Sequence, residues 1–126
     1  MTASTTPMKY LLLIYDDQSA YATLDEQAIG EMYAGHMRFA EEAGKRMIDG
    51  GELRPTTSAT TVRIRNGEQM ITDGPFAETK EQLGGYYLVE CADLDEAIAL
   101  AAKIPVISGC VEVRPLVLRD ENGNEL

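Results

Sequence analysis

From Lys9 to Tyr15 every position but the first is apolar, in the run KYLLLIY. Tyr10, Leu12 and Ile14 alternate with Leu11, Leu13 and Tyr15, so both faces of a strand here carry apolar side chains. A strand with one solvated face alternates with polar residues instead. The pattern therefore predicts a strand covered on both sides. A helical period follows from about Leu24 to Asp49, with Ala28, Met32, Ala40, Ala43 and Met47 on one stripe. Thr23 and Glu26 have capping-box spacing, and Gly50-Gly51 reads as the stop. Thr61–Arg65 and Glu68–Thr72 flank Asn66-Gly67, a strong hairpin signal. GYYLVECA, from Gly85, is a further strand with little polarity on either face. DLDEAIALAAKIP is a second helix, capped by Asp93 and Glu96, with Leu94, Ala97, Ile98, Ala101 and Ile104 as its apolar face and Pro105 as its stop. CVEVRPLVL makes the last strand.

The order is strand, helix, hairpin, strand, helix, strand. Its core is β-α-β-β-α-β, an α+β, ferredoxin-like arrangement with an extra β-hairpin. Two helices cover one face of such a sheet. The apolar pattern on the other face predicts a homodimer, in which two sheets pack face to face as a dimeric α+β barrel with a cleft between the layers.

The chain has 126 residues, enough for one domain with a real core. Residues 1–7 read as a loose, disordered tail, 8–119 as the folded domain and 120–126 as a polar tail. The net charge of -10 argues against nucleic acid and against an anionic membrane surface. No basic region precedes the short apolar run near the start, so it does not read as a secretory signal. Cys91 and Cys110, without a CxxC motif, point to reduced thiols in a cytoplasm. The first strand of the expected order lies between them, which keeps them from forming a disulfide. One histidine and no cysteine cluster argue against zinc, and no nucleotide-binding glycine pattern occurs, so no cofactor is expected.

The most distinctive stretch is TDGPFAETKEQLGGYY, from Thr72 to Tyr87. Asp73-Gly74-Pro75 has turn chemistry: Asp bonds its own backbone, Gly allows positive φ and Pro fixes φ. Phe76 reads as a pin against the sheet. Asp73, Glu78, Lys80 and Glu81 then fall within nine residues, more charge than a turn requires. A carboxylate beside an apolar cleft ionises less readily and can move a proton. Asp73 is thus a candidate acid/base group, with Lys80, Glu78, Phe76 and Tyr86 as substrate contacts. Arg114 either pairs with Glu112, Asp73 or Glu78, or holds a substrate carboxylate. His36 is the second catalytic candidate, being the lone side chain that titrates near neutrality unperturbed. Its place on the helical stripe equally suits a packed core residue. Tyr10, Tyr15, Tyr86 and Tyr87 suit a cleft lining or an interface.

DGPFAETKEQLGGYYLVE at Asp73 to Glu90, with DEAIALAAKIP, VEVRPL, MKYLLLIY and GGELRPTTSATTVR, closely resembles the DGPF branch of the YCII-related family. The resemblance spans Met8 to Leu118. It implies a small bacterial protein with the dimeric ferredoxin-like fold. In the wider family some members resemble small enzymes that eliminate halide from, or rearrange, ring-derived acids with a His and Asp pair. No shared motif surrounds His36, so that pair does not carry over to it. The resemblance also implies a link to extracytoplasmic-function sigma factors. Two functions follow as expectations. One is a cofactor-free lyase or isomerase acting on an acidic organic molecule. The other is a non-catalytic ligand-binding or regulatory module with a sigma-factor-related partner.

Overall fold

A computed structural model describes residues 7–126, and of the expected N-terminal tail only Pro7 falls within that range. β1 (Met8–Asp16) is the apolar run at the start, extended by one residue at each end. A short helix, α1 (Gln18–Tyr21), follows, with the Asp17 carboxylate capping Ser19 N–H. The long helix, α2, spans Glu26–Ala43. Its cap is Asp25, whose carboxylate accepts from Ala28 N–H at 2.8 Å, and not Thr23, whose hydroxyl turns back to the Ala20 carbonyl. A side-chain oxygen here satisfies one of the amides that a helix start leaves without a partner.

α2 ends at Ala43, six residues before the expected helix end at Asp49. Met47–Glu52 is instead a strand, β2. Gly50 and Gly51 lie inside β2, and close approach explains why they are glycines. A Cβ on Gly50 would sit 2.6 Å from Cδ1 of Tyr87, and one on Gly51 3.1 Å from Cε1 of Tyr86. The two rings lie over the glycines on opposite faces of the sheet, filling the space that side chains would have taken.

β3 (Thr60–Arg65) and β4 (Glu68–Asp73) form the expected hairpin around Asn66-Gly67, as a separate two-stranded sheet. β5 (Gln82–Cys91), α3 (Leu94–Ala101) and β6 (Cys110–Pro115) complete the chain. The main sheet has the order β2-β5-β1-β6, with every neighbouring pair antiparallel. The architecture is α+β, with antiparallel sheets and few helices.

One face of that sheet carries the core. Tyr10, Leu12 and Ile14 of β1 and Val89 and Cys91 of β5 are buried with Phe39 and Ala43 of α2 and Ala97, Leu100, Ala101 and Ile104 from α3 and the turn after it. On α2 the buried residues are Gly35, Phe39 and Ala43, and Met47 belongs to β2. On α3 the buried edge runs through Ala97, Leu100 and Ala101, while Leu94 and Ile98 are exposed. The Asp93 carboxylate caps Glu96 N–H at 2.9 Å, and Glu96 reaches back to Ala92 N–H. The opposite face has Leu11, Leu13 and Tyr15 of β1, Tyr86 and Leu88 of β5, and Glu112 and Arg114 of β6 in cross-strand register. No helix among the described residues covers it, and its apolar residues are half-buried.

Asp16 continues the inward-facing set of β1 and is buried. Its carboxylate accepts from Ile107 N–H at 2.7 Å, Ser108 N–H at 2.9 Å and Ser108 Oγ at 3.2 Å. These bonds anchor the turn leading into β6 and satisfy the buried charge. Cys91 and Cys110 are both free thiols; Cys91 pairs across from Met8 of β1 and Cys110 across from Tyr15, at opposite ends of that strand. The polar end folds back, with Arg119 bridging to Glu125 and Asp120 capping the turn between them.

Candidate functional site

A cavity of about 530 Å³ opens between α2 and the β2–β5 edge of the sheet. Ile14, Ile29, Met32, Leu53 and Pro55 give it apolar walls, and Gly51, Gly84 and Gly85 expose backbone to it. Gln18, Tyr21, Tyr33, His36, Glu52, Gln82 and Tyr87 bring polar atoms to it. A few polar groups set in an apolar concavity is the usual make-up of a small-molecule site.

His36 and Tyr87 form the inner wall. His36 Nδ1 lies 2.8 Å from Tyr87 Oη, with ring centroids 5.9 Å apart. Tyr87 donates or accepts according to which imidazole nitrogen carries the proton. Behind it, Phe39 packs on the Tyr87 ring at a centroid distance of 4.5 Å, which holds the phenol against the helix. Burial pushes the His36 pKa below its ordinary value, and the Glu52 charge opposes that in part. The imidazole is therefore neutral at pH 7. Burial, and after it Glu52, raises the Tyr87 pKa, so the phenol keeps its proton.

Tyr33 and Glu52 stand at the mouth. Tyr33 Oη donates to both Glu52 carboxylate oxygens, at 3.2 and 3.3 Å. The Glu52 charge, more than that bond, lifts the Tyr33 pKa. Tyr21 is raised by burial first, then by Asp16, Glu52 and Tyr33. At the base of the site, the Gln82 side-chain carbonyl accepts from Gln18 N–H at 2.9 Å, and the Gln18 side chain accepts from Thr56 N–H and Oγ1. These amides tie α1, the turn after β2 and β5 into one frame.

Of the catalytic and substrate-contact candidates named from sequence, His36 alone lines this cavity, joined there by Tyr87, one of the four tyrosines suited to a cleft or an interface. Asp73 ends β4, exposed and paired across the hairpin with Thr60. Gly74 has the expected positive φ, at 98°, and its N–H bonds the Ala59 carbonyl. Phe76 does not pin the loop: its ring is 79% exposed. Glu78 and Lys80 are exposed further along that loop, and Lys80 helps, behind two hydrogen bonds from Ser19, to lower the Asp17 pKa. Arg114 makes an ion pair with Glu112 on the helix-free face, one of the pairings open from sequence. Tyr86 lies on that same face, opposite Leu13. The cavity lining contains no lysine or arginine among the described residues, so the expected cation for a substrate carboxylate has no counterpart there. The same residues offer no group of three or more His, Cys, Asp or Glu that could hold a metal ion.

Sequence reasoning missed Glu52, Tyr33 and Tyr21. Glu52 was hidden because β2 was read as the end of a helix. Tyr33 and His36 are three apart on α2 and face the cavity together, a spacing that carries no distinct signal once a helix has been assigned.

The fold and cavity thus define a small antiparallel α+β domain with a tyrosine- and histidine-lined pocket at one sheet edge. The chain belongs to the family of YCII-related domains, whose match covers residues 8–119. It is 42% identical over 118 residues to an uncharacterised protein of Rhizobium meliloti (strain 1021), covering 88% of this chain and 94% of the other. No helix among the described residues is long and apolar enough to cross a membrane.

Proposed function

We propose that the cavity beneath α2 is a ligand site in which His36 exchanges a proton with a bound small organic molecule, making the protein a cofactor-free lyase or isomerase. The observation that carries this is the 2.8 Å contact of His36 with Tyr87 in a site that keeps the imidazole neutral. A neutral imidazole is a competent base at pH 7: Nε2 takes the substrate proton, while the fixed phenol oxygen accepts a hydrogen bond from Nδ1–H, orients the ring and stabilises the imidazolium that forms. The test is solvent-deuterium exchange. A panel of small carbonyl compounds and organic acids is incubated with the protein in heavy water and followed by proton NMR. Protein-dependent exchange or elimination should vanish in His36→Asn, and its persistence there would end this reading.

The strand order β2-β5-β1-β6 supports a ferredoxin-like core with β3 and β4 as the extra hairpin. The half-buried leucines and tyrosines of the helix-free face support a homodimer in the manner of an α+β barrel. In that dimer Arg114 and Tyr86 would lie at the interface, and in a cleft between the sheets Arg114 or Lys80 would hold the acid group of a ligand, Asp73 would move its proton, and Glu78 and Phe76 would be further contacts. The two free thiols support a cytoplasmic setting.

The second reading, a non-catalytic module serving an extracytoplasmic-function sigma factor system, is favoured by the exposed Phe76 ring within a charged loop. Such a ring is suited to a protein partner. Under that reading Phe76→Ala abolishes the partner's binding and His36→Asn leaves it intact.

A further inference from the structure

The cavity differs in charge from an anion site. Its polar groups are tyrosine hydroxyls, amides, one histidine and two carboxylates, those of Asp16 and Glu52. Asp16 is committed to the turn at Ile107 and Ser108. Glu52 is different. It is exposed at the cavity mouth, and its hydrogen-bond contact is the Tyr33 hydroxyl, shared between both carboxylate oxygens. A carboxylate has about four acceptor sites, so most of its capacity is free. Arg54 is the nearest cation along the chain; it lines an open recess that adjoins the cavity and shares Glu52, Leu53 and Pro55 with it, but is not itself among the residues lining the cavity.

Aromatic rings gather at the same place. Tyr21 and Tyr33 are part-exposed at the mouth, and Tyr87 closes the inner wall. Glu52 lines the same cavity as Tyr21, Tyr33 and Tyr87 and accepts a hydrogen bond from the Tyr33 hydroxyl. Tyrosine faces attract organic cations, and the attraction grows when the cation is desolvated. A carboxylate among such faces adds directed attraction to the same group. The net charge of -10 further draws cations toward the molecule.

We propose that this cavity takes an organic cation, an alkylammonium group held at the mouth by Glu52, Tyr21 and Tyr33, with its apolar part reaching inward along Ile29 and Met32 toward His36. The proposal rests on the cavity being a ligand site, and it names the ligand class. It departs from the acid expected from sequence, because the cations thought to hold that acid lie elsewhere.

Three probes of one shape and different charge test it: choline, its carbon isostere tert-butylethanol, and tert-butylacetate. Each is titrated into the full-length protein while the backbone amide signals of Gly51, Glu52, Leu53 and Gly84 are followed by NMR. Choline should bind about tenfold more tightly than the alcohol, the carboxylate should be weakest, and Glu52→Gln should bring choline to the level of the alcohol without moving the alcohol. Equal affinity for choline and the alcohol overturns the charge inference but leaves the cavity as a ligand site. Preference for tert-butylacetate, lost in Arg54→Ala, overturns it in favour of an anion held at the rim. If none of the three shifts these amides, the cavity is not a site for molecules of this kind, and both readings fall.

Discussion

The two faces of the four-stranded sheet are built from the same strands and nearly the same residue types, yet they do different things. On the helix side, Tyr10, Leu12, Ile14, Val89 and Cys91 are closed over by α2 and α3. On the other side, Leu11, Leu13, Tyr15, Tyr86 and Leu88 have no helix above them among the described residues. Alternation along a strand sends neighbouring residues to opposite faces, so Leu12 and Leu13 have opposite fates despite being identical. The helix side holds the monomer together. The other side has apolar area whose burial is worth about 25 cal/mol per Å² when something covers it. The candidate site follows the same division. The cavity sits where the helix layer stops short of covering β2 and β5, whereas Arg114 and Tyr86 belong to the uncovered side.

The largest effect should come from Phe39→Ala. That ring is among the largest fully buried side chains and stacks on Tyr87. Its loss should cost about 4 kcal/mol by denaturant melting and loosen the His36 contact as well. A cost near that of a surface change would mean the helix side is not the core.

Asp16→Ala should come next, at about 3 kcal/mol, because it strands the amides of Ile107 and Ser108 in a part-buried turn. Asp16→Asn keeps one acceptor and should cost less.

Leu13→Asp sharpens the contrast directly. It should leave the melting of dilute protein within about 1 kcal/mol of the parent, while light scattering reports the monomer mass in place of the dimer. If the parent is already monomeric at micromolar concentration, the uncovered face needs another explanation. If Leu13→Asp unfolds the chain as Leu12→Ala should, the two faces are not distinct.

A smaller effect belongs to His36. Its folded pKa lies below the ordinary 6.5, chiefly through burial, so the unfolded chain binds the proton more readily. That contribution to stability is fully present above pH 6.5 and is lost as pH falls from there through the folded pKa. Thermal melting should therefore drop less in His36→Asn than in the parent over the window just below pH 6.5. Equal slopes would place His36 in a watery setting and weaken its role as a base.

Phe76→Ala should be the smallest, within about 0.5 kcal/mol, because the ring is already in solvent. A loss of about 3 kcal/mol, as expected of a buried pin, would show that another surface covers it in solution.

How much of this was legible beforehand can be judged element by element. The two-sided apolar run of β1, the Asn-Gly hairpin, the Asp93 cap of α3 and the low polarity of β5 on both faces were readable because each is a local pattern with one physical meaning. Met47–Glu52 was not. The segment MIDGGE has two glycines, an aspartate and no alternation, so nothing local favours a strand. It is a strand because β5 offers an edge to pair with and the rings of Tyr86 and Tyr87 lie over its glycines. The same error displaced the site. With Met47–Asp49 read as helix and Gly50-Gly51 as its stop, Glu52 had no reason to meet Tyr33, and His36 none to meet Tyr87, 51 positions away in the chain. Asp73, Glu78 and Lys80 stood out because charge and turn residues are dense there, and density along the chain is visible without a structure. What the sequence alone determined was which segments are apolar, where turns are obligatory and that the central strands are apolar on both faces. The tertiary structure decided which of the apolar residues form the core, and it alone brought Glu52, Tyr33, His36 and Tyr87 around one cavity. Such a site comes from contacts between distant segments, and neither periodicity nor propensity encodes those.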